Sequence, residues 1–191
     1  MKFFGTMINS GGVLEIGGIK VTELAEKYGT PLYIMDQKLI EENMLKYREN
    51  FKSNRFKTTV VYASKAFLSK AICKLVEKYD LHIDAVSGGE LYTIKSSGIS
   101  MERVHMHGNN KTDDELKMCL DYNIGSIILD NEEEIERVSN ICKEKNQKIK
   151  VMLRINIGID AHTHEYIQTS KHSSKFGESI FDERFPEIVE K

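Results

Sequence analysis

Two hydrophobic rhythms alternate along most of the chain. Short continuous apolar runs, the pattern of strands buried on both faces, alternate with stretches whose apolar residues recur at helical spacing. Residues 1–20 read as short extended pieces around the turns Ser10-Gly11-Gly12 and Gly17-Gly18. Val21 to Tyr28 then predicts a short helix, stopped by Gly29 and followed by Pro31. The apolar run Pro31–Met35 leads into a charged amphipathic helix from Gln37 to Phe51. Beyond it the alternation becomes regular. Strands are predicted at 59–63, 81–86, 103–107, 126–130 and 149–156. Helices are predicted near 67–79, from 87, near 113–122 and near 132–144, with a last helix starting after Phe181.

The five strand centres, near 61, 83, 105, 128 and 152, recur every 22 to 24 residues, one βα unit each. Such alternation predicts an α/β fold with a parallel sheet. Two architectures fit the period. A doubly wound open sheet could be complete with five strands. A (β/α)8 barrel needs about 250 residues and eight strands, so this chain would form only part of one. Either way, functional groups gather where strands hand over to loops.

Composition narrows the classes. The 191 residues are 40 % hydrophobic and 29 % charged, enough for a real core and against general disorder. With 27 Lys+Arg and 29 Asp+Glu the net charge is −2, no electrostatic footprint for nucleic acid or an anionic membrane. No stretch approaches the roughly 18 apolar residues of a transmembrane helix, and the start MKFFGTMINSGG has no secretory h-region. Cys73, Cys119 and Cys142 are odd in number and widely spaced, so they are expected to be cytoplasmic thiols on helices, not disulfides or zinc ligands.

The strand ends carry the chemistry. Lys65 follows an apolar strand whose Val61 and Ala63 share its face. A partly desolvated lysine there would be a nucleophile able to form a Schiff base with an aldehyde; the plainer reading is a solvated strand-end lysine. Asp84 sits inside LHIDAV and needs a partner, Lys65 being available, or it caps the next helix. Ser87-Gly88-Gly89-Glu90 has capping-box spacing, and its glycines would also let a ligand approach. Arg154 within VMLRIN calls for an anion or a polar network. His105 and His107, and His162 and His164, form H-x-H pairs. A metal would need further ligands at other strand ends, so hydrogen-bonded histidines are expected and no metal site. The polar segment Gly158–Gly177, with Lys171 and Lys175, suits an anionic substrate or phosphate.

Taken in order, these segments resemble one family. Val61-Tyr-Ala-Ser-Lys65-Ala and Asp84-Ala-Val-Ser87-Gly-Gly-Glu90 look like the cofactor-lysine region of the fold-type III pyridoxal-phosphate decarboxylases. His107-Gly-Asn109-Asn-Lys111, Arg154-Ile-Asn156 and Thr169-Ser-Lys-His-Ser-Ser174-Lys175-Phe-Gly177 are similar, more narrowly, to diaminopimelate decarboxylases. The resemblance implies a partial TIM (β/α)8 barrel of the alanine racemase-like, fold-type III kind, with about five βα units. Residues 31–191 would form that barrel portion, and residues 1–30 would belong to the family's β-domain. It also implies pyridoxal 5'-phosphate as cofactor, meso-diaminopimelate as substrate and L-lysine as product, in a cytoplasmic homodimer. Lys65 would hold the cofactor and act in proton transfer. Asp84, Arg154, His107 and Asn109 would bind the cofactor, and Glu90, Ser87, Asn156, Ser174 and Lys175 would line the site.

The family's chains are about twice as long. The resemblance therefore implies an incomplete N-terminal portion, inactive alone, with open sheet edges that favour weak stability or self-association. The alternatives are a related ornithine, arginine or carboxynorspermidine decarboxylase, or a non-catalytic remnant.

Overall fold

The computed structural model describes residues 3–158 and 176–191. The chain divides into two compact units, Met1–Val60 and Val61–Lys191.

The first unit opens with an antiparallel three-stranded meander, β1 (Ile8–Ser10), β2 (Val13–Ile16) and β3 (Ile19–Lys20). Helices α1 (Val21–Tyr28) and α2 (Gln37–Asn50) follow. Asp36 caps α2 by accepting the Leu39 N–H, and its carboxylate also accepts the Thr6 hydroxyl. That second hydrogen bond holds Asp36 below the usual carboxylate range. Residues 32–35, the apolar run before α2, form no regular element.

The second unit is built on a five-stranded sheet in the order β4 (Val61–Tyr62), β5 (His82–Ala85), β6 (Val104–Met106), β7 (Ser126–Leu129) and β8 (Val151–Leu153). All neighbours are parallel, in the register Val61↔His82, Asp84↔His105, His105↔Ser126 and Leu129↔Leu153. Helices α3 (Lys70–Lys78), α4 (Gly88–Ser97), α5 (Asp113–Asp121) and α6 (Glu132–Lys145) connect successive strands and pack side by side. Spatial order follows chain order, with no reversal at a switch point, and that is the winding of a (β/α)8 barrel. The open doubly wound alternative is thereby set aside, and the sheet is five strands of a barrel.

The two sheet faces differ in chemistry. Ile83, Ala85, Val104 and Met106 are buried and alternate with the partly exposed His82, Asp84, His105 and His107. The apolar set meets Ile72, Val76, Leu91, Ile94, Leu116 and Leu120 in the helices' share of the core. Every helix of this layer has a side-chain N-cap, from Ser69, Ser87, Thr112 or Asn131.

One expectation about elements changes. The strand foreseen over 149–156 breaks at Arg154 into β8 and β9 (Ile155–Asn156). The short β9 pairs in parallel with β10 (Glu178–Ser179), which follows Gly177. Gly177 has φ +74°, and a Cβ there would come within 2.9 Å of the Arg154 carbonyl oxygen, so the close approach needs glycine. The chain ends in helix α7 (Phe185–Glu190), as predicted after Phe181. No described helix is long and apolar enough to cross a membrane.

Candidate functional site

The parallel register brings the carboxyl ends of β4 to β8 to one edge, and the chemistry-bearing residues come with them. Lys65 lies in a 3-10 turn, Ser64–Ala66, directly after β4. Asp84, on β5, accepts the Ser64 N–H at 2.6 Å. Its carboxylate therefore fixes the backbone of the lysine turn, where an ion pair with Lys65 or a cap on the next helix was expected. The Lys65 side chain is exposed, so the expected desolvation is not found among the described residues. Tyr62 Oη donates to the Phe67 carbonyl at 2.7 Å and closes the turn from the other side.

His107 follows β6 and is tied to β5 by donating its N–H to the Ala85 carbonyl at 2.7 Å. Burial pushes its imidazole pKa down; Asp84 opposes this, while Arg154, Lys111 and Lys65 add to it. One histidine thus feels the charges of four strand ends, which brings Lys65, Asp84, His107 and Arg154 into a single electrostatic site. Burial thus favours the neutral form of the His107 imidazole.

Arg154 follows β8, and its N–H donates to the Leu129 carbonyl at 2.8 Å. Its guanidinium donates to buried Asp130 at 2.9 Å and stacks on the Phe176 ring at 4.7 Å. The anion expected beside this arginine is Asp130. The Arg154 side chain as a whole keeps 36 % of its exposure. Asn109 is exposed in the loop after His107.

Three other site candidates make local hydrogen bonds. Ser87 Oγ accepts the Glu90 N–H at 3.3 Å, and Glu90 Oε2 reaches back to the Val86 N–H at 2.6 Å. The helix-capping role of the S-x-x-E spacing is therefore realised. Asn156 is buried, and its Oδ1 accepts the Gly158 N–H at 3.0 Å. Ser174, Lys175, Lys171, His162 and His164 lie outside the described residues.

One layer deeper, the His105 ring shares hydrogen bonds with His82 at 2.8 Å and Ser126 at 2.7 Å. Burial, then the neighbouring His82, push its pKa down to about 4. No group of three or more metal-binding side chains occurs among the described residues. Sequence reasoning missed Lys111, which is buried and forms a 2.7 Å ion pair with Glu134. The usable signal was Lys111 immediately before a helix cap, with a glutamate one βα unit later.

The sequence profile of the pyridoxal-dependent decarboxylases, pyridoxal binding domain, matches residues 37–190. A diaminopimelate decarboxylase of Bacillus methanolicus is 48 % identical over 178 residues, which cover 93 % of this chain and 41 % of that protein. That of Bacillus subtilis (strain 168) is 47 % identical over 182 residues, 95 % of this chain and 42 % of the relative. Among solved structures, diaminopimelate decarboxylase from M. jannaschii in co-complex with L-lysine superposes with a TM-score of 0.87 at 33 % identity. The match covers 97 % of this chain and 44 % of that one. The chain thus spans 41 % and 42 % of the length of these two curated relatives.

Proposed function

The chain belongs to the pyridoxal-dependent decarboxylases through their pyridoxal-binding domain, and from that membership we propose that it supplies the lysine-bearing part of a diaminopimelate decarboxylase. The observation that carries this reading is the parallel strand order, which sets Lys65, Asp84, His107 and Arg154 at the carboxyl ends of β4, β5, β6 and β8 along one edge of the sheet. The donor set suits pyridoxal 5'-phosphate: an exposed lysine on a fixed turn, an imidazole whose burial favours its neutral form, and a partly exposed arginine. When bound, the cofactor would supply the electron sink that lets a carboxylate leave as carbon dioxide.

In this reading Lys65 Nζ holds the aldehyde carbon of the cofactor. Asp84 keeps the Lys65 turn in place through the Ser64 N–H. Arg154, oriented by Asp130 and Phe176, would offer positive charge to an anionic part of cofactor or substrate. Neutral His107 presents a ring face and one acceptor nitrogen without adding a positive charge. Asn109 adds an exposed amide to the same edge. With the cofactor bound, Lys65 Nζ would also be the group placed to move a proton at the reacting carbon. Ser87, Glu90 and Asn156 shape the backbone around these groups. The same reading assigns residues 31–191 to the barrel and residues 1–30 to a β-domain, in a cytoplasmic homodimer. Free thiols at Cys73, Cys119 and Cys142 fit that compartment.

With pyridoxal phosphate and carboxyl-labelled meso-diaminopimelate, the 191-residue chain alone is expected to release no carbon dioxide. Release above the cofactor-only background contradicts the assignment of only part of the catalytic machinery to this chain. Added cofactor is expected to shift its absorption in the chain and not in Lys65→Ala. Equal shifts in both contradict the role given to Lys65.

A further inference from the structure

Lys111 and Glu134 keep 1 % and 2 % of their side-chain exposure, and neither is used by the chemistry above. Burying two charges is costly unless hydrogen bonds satisfy what the pair leaves over. Here those bonds lead to the site. Lys111 Nζ donates to Glu134 Oε2 at 2.7 Å and to the Gly108 carbonyl at 2.5 Å. Gly108 has φ +115°, a glycine conformation, and stands between His107 and Asn109. Glu134 Oε2 also accepts the Asp130 N–H at 2.9 Å. Asp130 Oδ1 in turn accepts from Arg154. A second anchor runs from α6, where Arg137 donates to the Lys111 backbone carbonyl at 2.6 Å. Hydrogen bonds therefore run without a break from the His107 loop, through the first turn of α6, to Arg154, buried in the middle and partly buried at both ends.

We propose that Lys111 and Glu134 are positioning residues, whose buried pair fixes the His107–Gly108 turn and, through Asp130, the Arg154 guanidinium at the edge of the sheet that carries Lys65. The inference rests on the reading of Lys65 as the cofactor lysine for its purpose, but not for its geometry. A charge pair used only for stability can often be replaced by well-packed apolar side chains at no loss. A pair used for positioning cannot, because the apolar replacement offers nothing to the Gly108 carbonyl or the Asp130 N–H.

The test compares the 191-residue chain with Glu134→Gln and with the double variant Lys111→Met/Glu134→Leu. The first readout is the side-chain N–H resonance of Arg154 by NMR, assigned through Arg154→Lys. The second is the rate at which pyridoxal phosphate and borohydride label Lys65. The expected result is loss of the protected Arg154 signal in a double variant that still unfolds cooperatively, with several-fold slower Lys65 labelling. A folded double variant with the wild-type Arg154 signal overturns the proposal. If the double variant does not fold, Glu134→Gln, which keeps the shape of the side chain, decides by the same signal. Failure of the wild-type chain to label at Lys65 would count against the cofactor reading alone, since the Arg154 signal still judges the positioning.

Discussion

Helices α2 and α6 are both 14 residues long and both begin at an Asx cap, Asp36 and Asn131. Their fates differ. The α6 helix buries Glu134, Val138 and Ile141, whereas α2 buries only Met44. Met44 is also the one buried side chain among the described residues of the first unit, where Tyr33, Tyr47 and Phe51 are exposed. Cap and apolar spacing are enough to specify a helix. What it buries is decided by its partner, and α6 has a parallel sheet beside it. The same difference explains where the chemistry sits. Strand ends held from both sides by sheet and helices can fix charges in place; a helix with one buried residue cannot.

The contrast can be broken most forcefully inside the second unit. Lys111→Met leaves the Glu134 carboxylate buried and unpaired, and should cost about 3–5 kcal/mol of stability. Urea titration followed by circular dichroism checks this. A loss under 1 kcal/mol would mean that the pair is far less buried in solution.

Next in size, Ile83→Ala on β5 should cost about 2–5 kcal/mol in the same titration. Met44→Ala should instead leave the main transition of the second unit in place while amide exchange across α2 becomes fast. Equal shifts of one common transition by both variants would show that the two units fold as one and would remove the contrast.

The pH dependence should also favour the second unit's account. The unfolded chain protonates its histidines near pH 6.5, while His105 in the fold resists until about 4. The unfolded state therefore binds more protons across that window, so stability is full above it and declines as the pH falls through it. His82, His107 and Lys150 disfavour the His105 charge and Asp84 favours it. His105→Asn should flatten the slope between pH 6.5 and 4; an unchanged slope would assign it to carboxylates. The smallest effect is expected at the caps, where Asn131→Ala should cost about 1 kcal/mol.

Much of this was legible before any coordinates. The 22- to 24-residue period located β4 to β8, because each strand is a continuous apolar run flanked by capped helices. The charge in VMLRIN foretold an anion for Arg154, and the S-x-x-E spacing foretold the α4 cap. The misses have physical causes. Strands β9 and β10 are two residues each, and their partners lie more than twenty residues apart, beyond any local period. Nothing local in HGNNK signals that Lys111 is buried, since its partner Glu134 lies 23 residues on. Asp84 was read as a partner for Lys65 or a cap on the next helix, and it instead accepts the backbone N–H of Ser64.

The central claim, that the strand ends of this chain form a lysine-based cofactor site, is tested most directly by reducing the chain with borohydride in pyridoxal phosphate and mapping the adduct by peptide mass, with Lys65→Ala alongside. A single adduct on Lys65, absent from the variant, is the predicted result. Labelling spread over the surface lysines, unchanged by the substitution, would contradict it.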